Sequence, residues 1–400
     1  MANILFLVHR IPYPPNKGDK VRAYHLLLEL AARHHVSIGA FVDDPHDWQY
    51  AQDLAAQIQG ACHLVPLDPK RAKPASLRGL LRGEALSMPY YRSRRMRGWV
   101  ESLFAAGQVD ATVCYSSPMA QYVAHHDQPI IMDFVDVDSD KWRQYAQEKT
   151  GVMRWLYQRE GERLEWEEKI ISDRVEASYF VNQKEAEHFR VLHPDRHGSV
   201  HHYDNGVDLQ KFDPDQPYEN PYTEGGSVLV FTGMMDYWPN IQAMVWFAQR
   251  VFPTLRQRHP NVQLAIVGAK PADEVVKLAE QPGVMVTGRV PDVRPYIAHA
   301  AFAVAPLLTA RGTQNKVLEA MAMGKAVLAT PQAMDGLTSY PETTQWVADG
   351  VEGMVEQAHT LLSQPQQAVV SGAAGRRCVQ EHYNWSANIA PVMDKLEALL

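Results

Sequence analysis

The sequence predicts an α/β fold used twice, as two Rossmann-like domains in tandem. Three observations carry this expectation. Short apolar runs alternate with helical patterns, a Pro- and Gly-rich acidic segment interrupts them near the middle, and the alternation then restarts. A chain of 400 residues has room for two or three domains of roughly 100–200 residues, each with its own core.

The elements follow in order. Ile4–Val8 reads as a buried strand, and a loop rich in turn formers leads to a helix that Asp19 can cap. Val21, Tyr24, Leu28 and Ala31, at spacings of 3, 4 and 3, trace one face of that helix. Further strands are expected at Val36–Val42, Ala61–Val65, Ala111–Tyr115, Ile130–Phe134 and Ala177–Val181, with a long helix over about Met153–Ile171. Pro214–Gly226 holds three prolines and two adjacent glycines and reads as a linker. Beyond it lie strands at Ser227–Thr232, Val262–Val267, Val284–Val286, Ala301–Ala305 and Ala326–Ala329. A helix over Asn240–Arg258 and two closing helices, about Gln366–His382 and Ser386–Leu400, complete the pattern. In such folds ligands bind at the carboxyl ends of the strands.

Composition excludes several classes. Charged residues make up 21% and the net charge is −7, so the molecule is not built to coat nucleic acid. Cys62, Cys114 and Cys378 are far apart, odd in number and in no metal-spaced cluster, which fits a reducing compartment and argues against a disulfide scaffold. The first residues lack the basic lead and cleavage site of a signal peptide, and no window approaches the roughly 18–20 apolar residues of a membrane-spanning helix. The expectation is a cytoplasmic protein with at most peripheral contact at the inner face of the membrane.

Several local patterns carry chemistry. The run Arg311-Gly312-Thr313-Gln314-Asn315-Lys316 opens a helix after a strand, a geometry that aims backbone N–H groups at an anion. Lys316 and Glu319, three apart, share a helix face; a lysine there suits a diphosphate and a carboxylate suits ribose hydroxyls. The competing reading is a solvated ion pair on an ordinary amphipathic helix. Asn205-Gly206-Val207-Asp208 is a turn just before the linker. Gly233, in Phe231–Asn240, marks the first strand–helix turn of the second half, and Gly18 the corresponding turn of the first. Asp133, Asp136, Asp138 and Asp140 leave a strand at its carboxyl end, where sites form; the competing reading is a helix cap and a solvated loop. Residues 70–97 hold nine Lys/Arg against Glu84 alone, interleaved with Leu, Met, Tyr and Trp, which suits anionic headgroups or, equally, a solvated face.

The stretch from Arg311 to Gly324 resembles the donor-binding signature of the retaining family-4 glycosyltransferases, whose fold is GT-B. Glu319, Ala320, Ala322 and Gly324 match that signature, while Arg311 stands where its first glutamate is usual. Asn205–Asp208 with Phe212 resembles the loop preceding the family's second domain. At Gly233 the family's following phosphate-binding cations are replaced by Met234 and Pro239-Asn240, so Lys316, Arg311 and Arg289 become the candidates to meet donor phosphate. First-domain runs Pro12–Asp19, Pro89–Ser93 and Asp133–Trp142 are similar to a subgroup found with exopolysaccharide export.

The resemblance implies two domains facing across a cleft. Residues 1–204 with about 384–400, the last helix crossing back, would form the acceptor side, and 205–383 the nucleotide-sugar donor side. It implies retaining hexosyl transfer from a nucleoside-diphosphate sugar to a glycan or lipid-linked acceptor in polysaccharide biosynthesis, with no required cofactor or metal. Asp136, Asp138, Lys316 and Glu319 would be the reacting-centre residues, and Gly18, Gly233, Arg289, Arg311, Gly312, Thr313 and Asn315 would join Lys316 and Glu319 in holding the donor. A sugar-nucleotide epimerase on the same fold, and a non-catalytic nucleotide- or glycan-binding partner, are the alternatives.

Overall fold

A computed structural model of the chain describes residues 1–15, 18–223, 225–310, 312–338 and 340–400. They divide into two units, Met1–Asp204 with Ile389–Leu400, and Asn205–Asn388. The return to the first unit thus falls at Ile389, later than the expected 384.

In the first unit β1 (Asn3–Val8), β2 (His35–Val42), β3 (Cys62–Pro66), β4 (Ala111–Tyr115), β5 (Ile130–Val135), β6 (Ala177–Phe180) and β7 (Val200–His202) form one sheet. Its order is β3-β2-β1-β4-β5-β6-β7, and every pairing is parallel. Such strands are covered on both faces, so they read as unbroken apolar runs: Leu5, Phe6, Leu7 and Val8 are fully buried. The sequence reading missed β7, whose Val-His-His carries no such run; it forms because β6 offers it an edge.

Helices α1 (Gly18–Arg33), α2 (Arg94–Ala105), α3 (Asp138–Gln147) and α4 (Gly151–Arg174) cover that sheet. The buried face of α1 is Ala23, Leu26, Leu27 and Leu30, rotated from the expected Val21, Tyr24, Leu28 and Ala31. The rotation has a cause in charge. It carries Arg22, 1% exposed, inward to Asp133 on β5, also 1% exposed. Arg22 Nε lies 2.9 Å from Asp133 Oδ2, its amino groups donate to the carbonyls of Tyr203 at 2.9 Å and Phe180 at 3.3 Å, and the Tyr203 hydroxyl donates to Asp133. Asp19 does not cap the helix; it lies inside the first turn and pairs with Arg10 and His9.

The second unit repeats the plan with β8 (Val228–Thr232), β9 (Gln263–Val267), β10 (Val284–Gly288), β11 (Phe302–Ala305) and β12 (Val327–Ala329), ordered β10-β9-β8-β11-β12 and all parallel. The helix expected over Asn240–Arg258 is two, α5 (Trp238–Trp246) and α6 (Phe252–Arg258), joined by a widened π-type turn at Phe247–Val251. Pro253 has no N–H to continue the ladder, which accounts for the break. Next come α7 (Asn315–Ala322), α8 (Pro365–His382) and α9 (Trp385–Glu397). The Asn-Gly turn owes its glycine to α9: a Cβ on Gly206 would stand 2.7 Å from Trp385 Cγ. No helix among the described residues is long and apolar enough to cross a membrane.

The Arg22–Asp133 pair gives the first test. Asp133→Ala strands the Arg22 charge in the core, and the expected cost is about 3–5 kcal/mol. It should appear as a lower urea midpoint for the transition of the first unit, whereas an unchanged midpoint would deny the pair its fastening role.

Candidate functional site

In each sheet the strand order reverses at one point, between β1 and β4 and between β8 and β11. Loops diverge there and leave a crevice, so the polar groups beside these points are the place to look.

In the second unit the loops after β8 and β9 touch backbone to backbone. A Cβ on Gly268 would meet the Gly233 carbonyl oxygen at 1.6 Å, and one on Gly233 would meet Asn240 Nδ2 at 2.9 Å and Lys316 Cε at 3.5 Å. Only glycines allow this approach. Asn240, buried in the first turn of α5, donates from Nδ2 to the Met234 carbonyl at 2.8 Å. Its Oδ1 accepts from Lys316 Nζ at 3.1 Å, and Gln314 Oε1 accepts from the same ammonium at 3.3 Å. The ammonium also lies 5.4 Å over the Phe231 ring.

Lys316 reaches this point because α7 starts after β11, in a loop that Gly312 turns at φ 61°. The Gln314 side chain does not cap α7. Thr313 Oγ1 is buried with no hydrogen-bond partner among the described residues. Asn315 is oriented from behind, its Oδ1 accepting from Asn205 Nδ2 at 3.0 Å.

Burial governs the charges. It lowers the Lys316 ammonium to about 8, against the opposing pull of Glu319. It raises the Glu319 carboxyl to about 7, against Lys211 and Lys316. Both groups therefore titrate near neutrality with no tight carboxylate–ammonium bond between them. The sequence reading missed two members of this group. Asn240 stands in the quoted Phe231–Asn240 run where the family has a cation, and that replacement was its only signal. Lys211 follows the Asn-Gly turn, and only the folded chain brings its charge to Glu319.

The other donor candidates lie elsewhere. Arg289 is exposed just beyond β10, three strands from β11, or roughly 14 Å of sheet. Arg311 lies outside the described residues.

In the first unit the switch point also gathers polar groups. Gly18 is exposed at the start of α1. Arg10 Nε donates to both Asp43 oxygens at 2.9 and 3.0 Å and its other arm pairs with Asp19. Burial lowers the Arg10 guanidinium, but Asp19 and Asp43 outweigh it and hold the group above its ordinary value. His9 stacks on Tyr115, ring centroids 5.8 Å apart, and its buried Nδ1 has no hydrogen-bond partner among the described residues.

Asp136 and Asp138 part company. Asp136 is half-buried beyond Val135, which holds φ at 73°, a strained value for a β-branched residue. Asp138 sits in the first turn of α3, 3.6 Å from Lys141 Nζ, where a carboxylate serves the helix.

The family model described as "Glycosyl transferases group 1" matches residues 226–364. No curated protein matches the chain closely enough to show a relationship. Among solved structures, the chain is similar to Anabaena HepE in complex with UDP and glucose, with 13% identity, a TM-score of 0.67 and coverage of 99% of this chain and 100% of that one. It is similar to sucrose-phosphate synthase from Thermosynechococcus elongatus, at 18% identity, TM-score 0.69, and 99% and 98% coverage. WaaG, a glycosyltransferase involved in lipopolysaccharide biosynthesis, aligns at 17% identity with a TM-score of 0.64, over 97% of this chain and 99% of that one. At such identities the likeness shows the fold, and the matched domain supplies the activity. With two parallel-sheet Rossmann-like units and a glycosyl transferases group 1 domain in the second, the chain is a GT-B glycosyltransferase.

Proposed function

We propose that the chain moves a sugar from a nucleoside-diphosphate sugar, with retention at the anomeric carbon, to a glycan or lipid-linked acceptor in polysaccharide assembly. The observation that carries this reading is the meeting of Gly233, Asn240, Lys316 and Glu319 at the strand-order switch of the second unit. The HepE complexes with UDP and with UDP-glucose favour a uridine donor.

In this reading the second unit holds the donor and the first handles the acceptor. Gly233 lets diphosphate approach bare backbone, and Lys316 gives it a cation. Thr313 Oγ1 and the start of α7 supply donors, on a loop shaped by Gly312 and Asn315. Glu319 accepts from the ribose hydroxyls. As the bond from the anomeric carbon to the diphosphate oxygen breaks, negative charge grows on that oxygen. Lys316 and the α7 N-terminus stabilise it, and the acceptor hydroxyl adds on the same face, its proton passing to the departing diphosphate oxygen. These groups carry the charge without a metal or cofactor. Asp136 and Asp138 are the candidates to face sugar or acceptor, Asp138 with Lys141 beside it. Gly18 would admit acceptor beside α1. Arg311 keeps its place in the donor set on sequence position, and Arg289 would serve the donor only from the rim.

The nine cations of residues 70–97 are all exposed, Arg92 paired with Glu84 at 3.2 Å. The interleaved apolar groups divide: Met88 and Met96 are core, whereas Leu77 is 47% and Leu81 91% exposed. Arg159 on α4 donates to the Glu84 carbonyl at 3.2 Å, and one turn before it Trp155 is exposed. A cationic face with protruding Leu and Trp suits an anionic membrane, to which the enzyme would bind peripherally from the cytoplasmic side.

Four measurements test this reading. UDP at 100 times its dissociation constant should add about 2.7 kcal/mol of stability, visible as a melting shift that GDP and ADP do not give. Lys316→Ala should lower transfer by about 10²–10³, and an active Lys316→Ala enzyme would sink the site. Affinity should also depend on pH. Phosphate binds the charged ammonium, which the empty protein loses as pH rises through about 8. Titration calorimetry should therefore show UDP binding weaker by up to about tenfold at pH 9 than at pH 7, with proton uptake, and a flat response for Lys316→Met. On anionic vesicles, Arg94→Ala with Arg95→Ala should cost about 2 kcal/mol, or about thirtyfold, in co-sedimentation; equal binding by parent and variant removes the membrane face.

A further inference from the structure

Glu101 on α2 and the neighbours His125 and His126, in the turn that leads to β5, bring a carboxylate and two imidazoles to one point of the first unit. Their ligand atoms all lie within 4.8 Å of one another. His125 Nε2 is 2.8 Å from Glu101 Oε1, and His126 Nε2 is 3.5 Å from Glu101 Oε2. A tetrahedral ion with bonds of about 2.0–2.1 Å sets its donors about 3.3 Å apart, so little movement is needed to close around one.

The surroundings hold these groups in place. The His126 ring stacks on Phe104 with centroids 3.6 Å apart and planes 5° from parallel. Arg174 donates to the His126 carbonyl and, from Nε, to the Ala124 carbonyl at 2.9 Å, pinning the turn on both sides of His125. Yet His126 Nε2 is buried with no hydrogen-bond partner among the described residues, a bond left unmade beside a carboxylate. Glu101 and His125 are 43% and 49% exposed, which leaves water a way to a fourth position.

We propose that Glu101, His125 and His126 form a zinc site, two neutral imidazoles and one carboxylate with water as the fourth ligand. Nitrogen donors favour a first-row transition cation over the hard magnesium and calcium ions, which seek oxygen. The site lies before the amino end of β5, whereas Asp136 follows its carboxyl end. Its effect is to tie α2 to the entry of the central sheet, apart from sugar transfer.

The test is calorimetric titration of the full chain, stripped with chelator, with zinc chloride and separately with magnesium chloride. The expected result is one zinc per chain and no magnesium binding. Cobalt(II) in place of zinc should give the visible absorption of a tetrahedral ion. His126→Ala and the isosteric Glu101→Gln should each weaken zinc by more than about tenfold, with the exposed His46→Ala as an unaffected control. Urea unfolding of the two variants shows that each is folded. Zinc affinity unchanged in both, or magnesium bound as tightly as zinc, overturns the proposal.

Discussion

A single guanidinium fastens the first unit. Arg22, brought inward by a rotation of α1, reaches Asp133 on β5 and the backbone of Phe180 and Tyr203, residues 111, 158 and 181 positions away. A charge so deep is tolerable only with its counter-charge and hydrogen bonds in place. Meeting that demand sets the facing of α1, the bulge at the end of β5 and the path beyond β7. It also fixes where Val135 and Asp136 emerge.

The second unit holds a cation on different terms. Lys316 has two amide oxygens, an aromatic face and a carboxyl that burial keeps partly protonated, instead of a bonded carboxylate. The same physics that makes Arg22 a fastener makes Lys316 a vacancy for negative charge. Paired charge builds the scaffold, and under-compensated charge sits where the strands part.

The strands were legible because a sheet buried on both faces needs unbroken apolar runs, and Ile4–Val8 or Val228–Thr232 have little else to become. The exceptions are informative. β7 lacked the run and depends on its neighbour, and the facing of α1 followed the Arg22 charge, which a count of apolar residues ignores. Lys316 and Glu319 were visible as a spaced pair on a loop-started helix. Asn240, Lys211 and the Glu101–His125–His126 group were not, because each owes its place to a partner distant in sequence. Adjacent histidines give no helical ligand spacing, and their carboxylate lies 24 residues upstream.

The final helix has a consequence for how the chain is made. α9 begins within the second unit, but Ile389, Val392, Met393 and Leu396 are buried as part of the first, where the Tyr179 hydroxyl donates to the Pro391 carbonyl at 3.1 Å. The first unit is thus discontinuous, and the second is a continuous stretch of chain. On the ribosome the half synthesised first is the half completed last. It must wait, one layer short, while its younger neighbour has all its residues in hand.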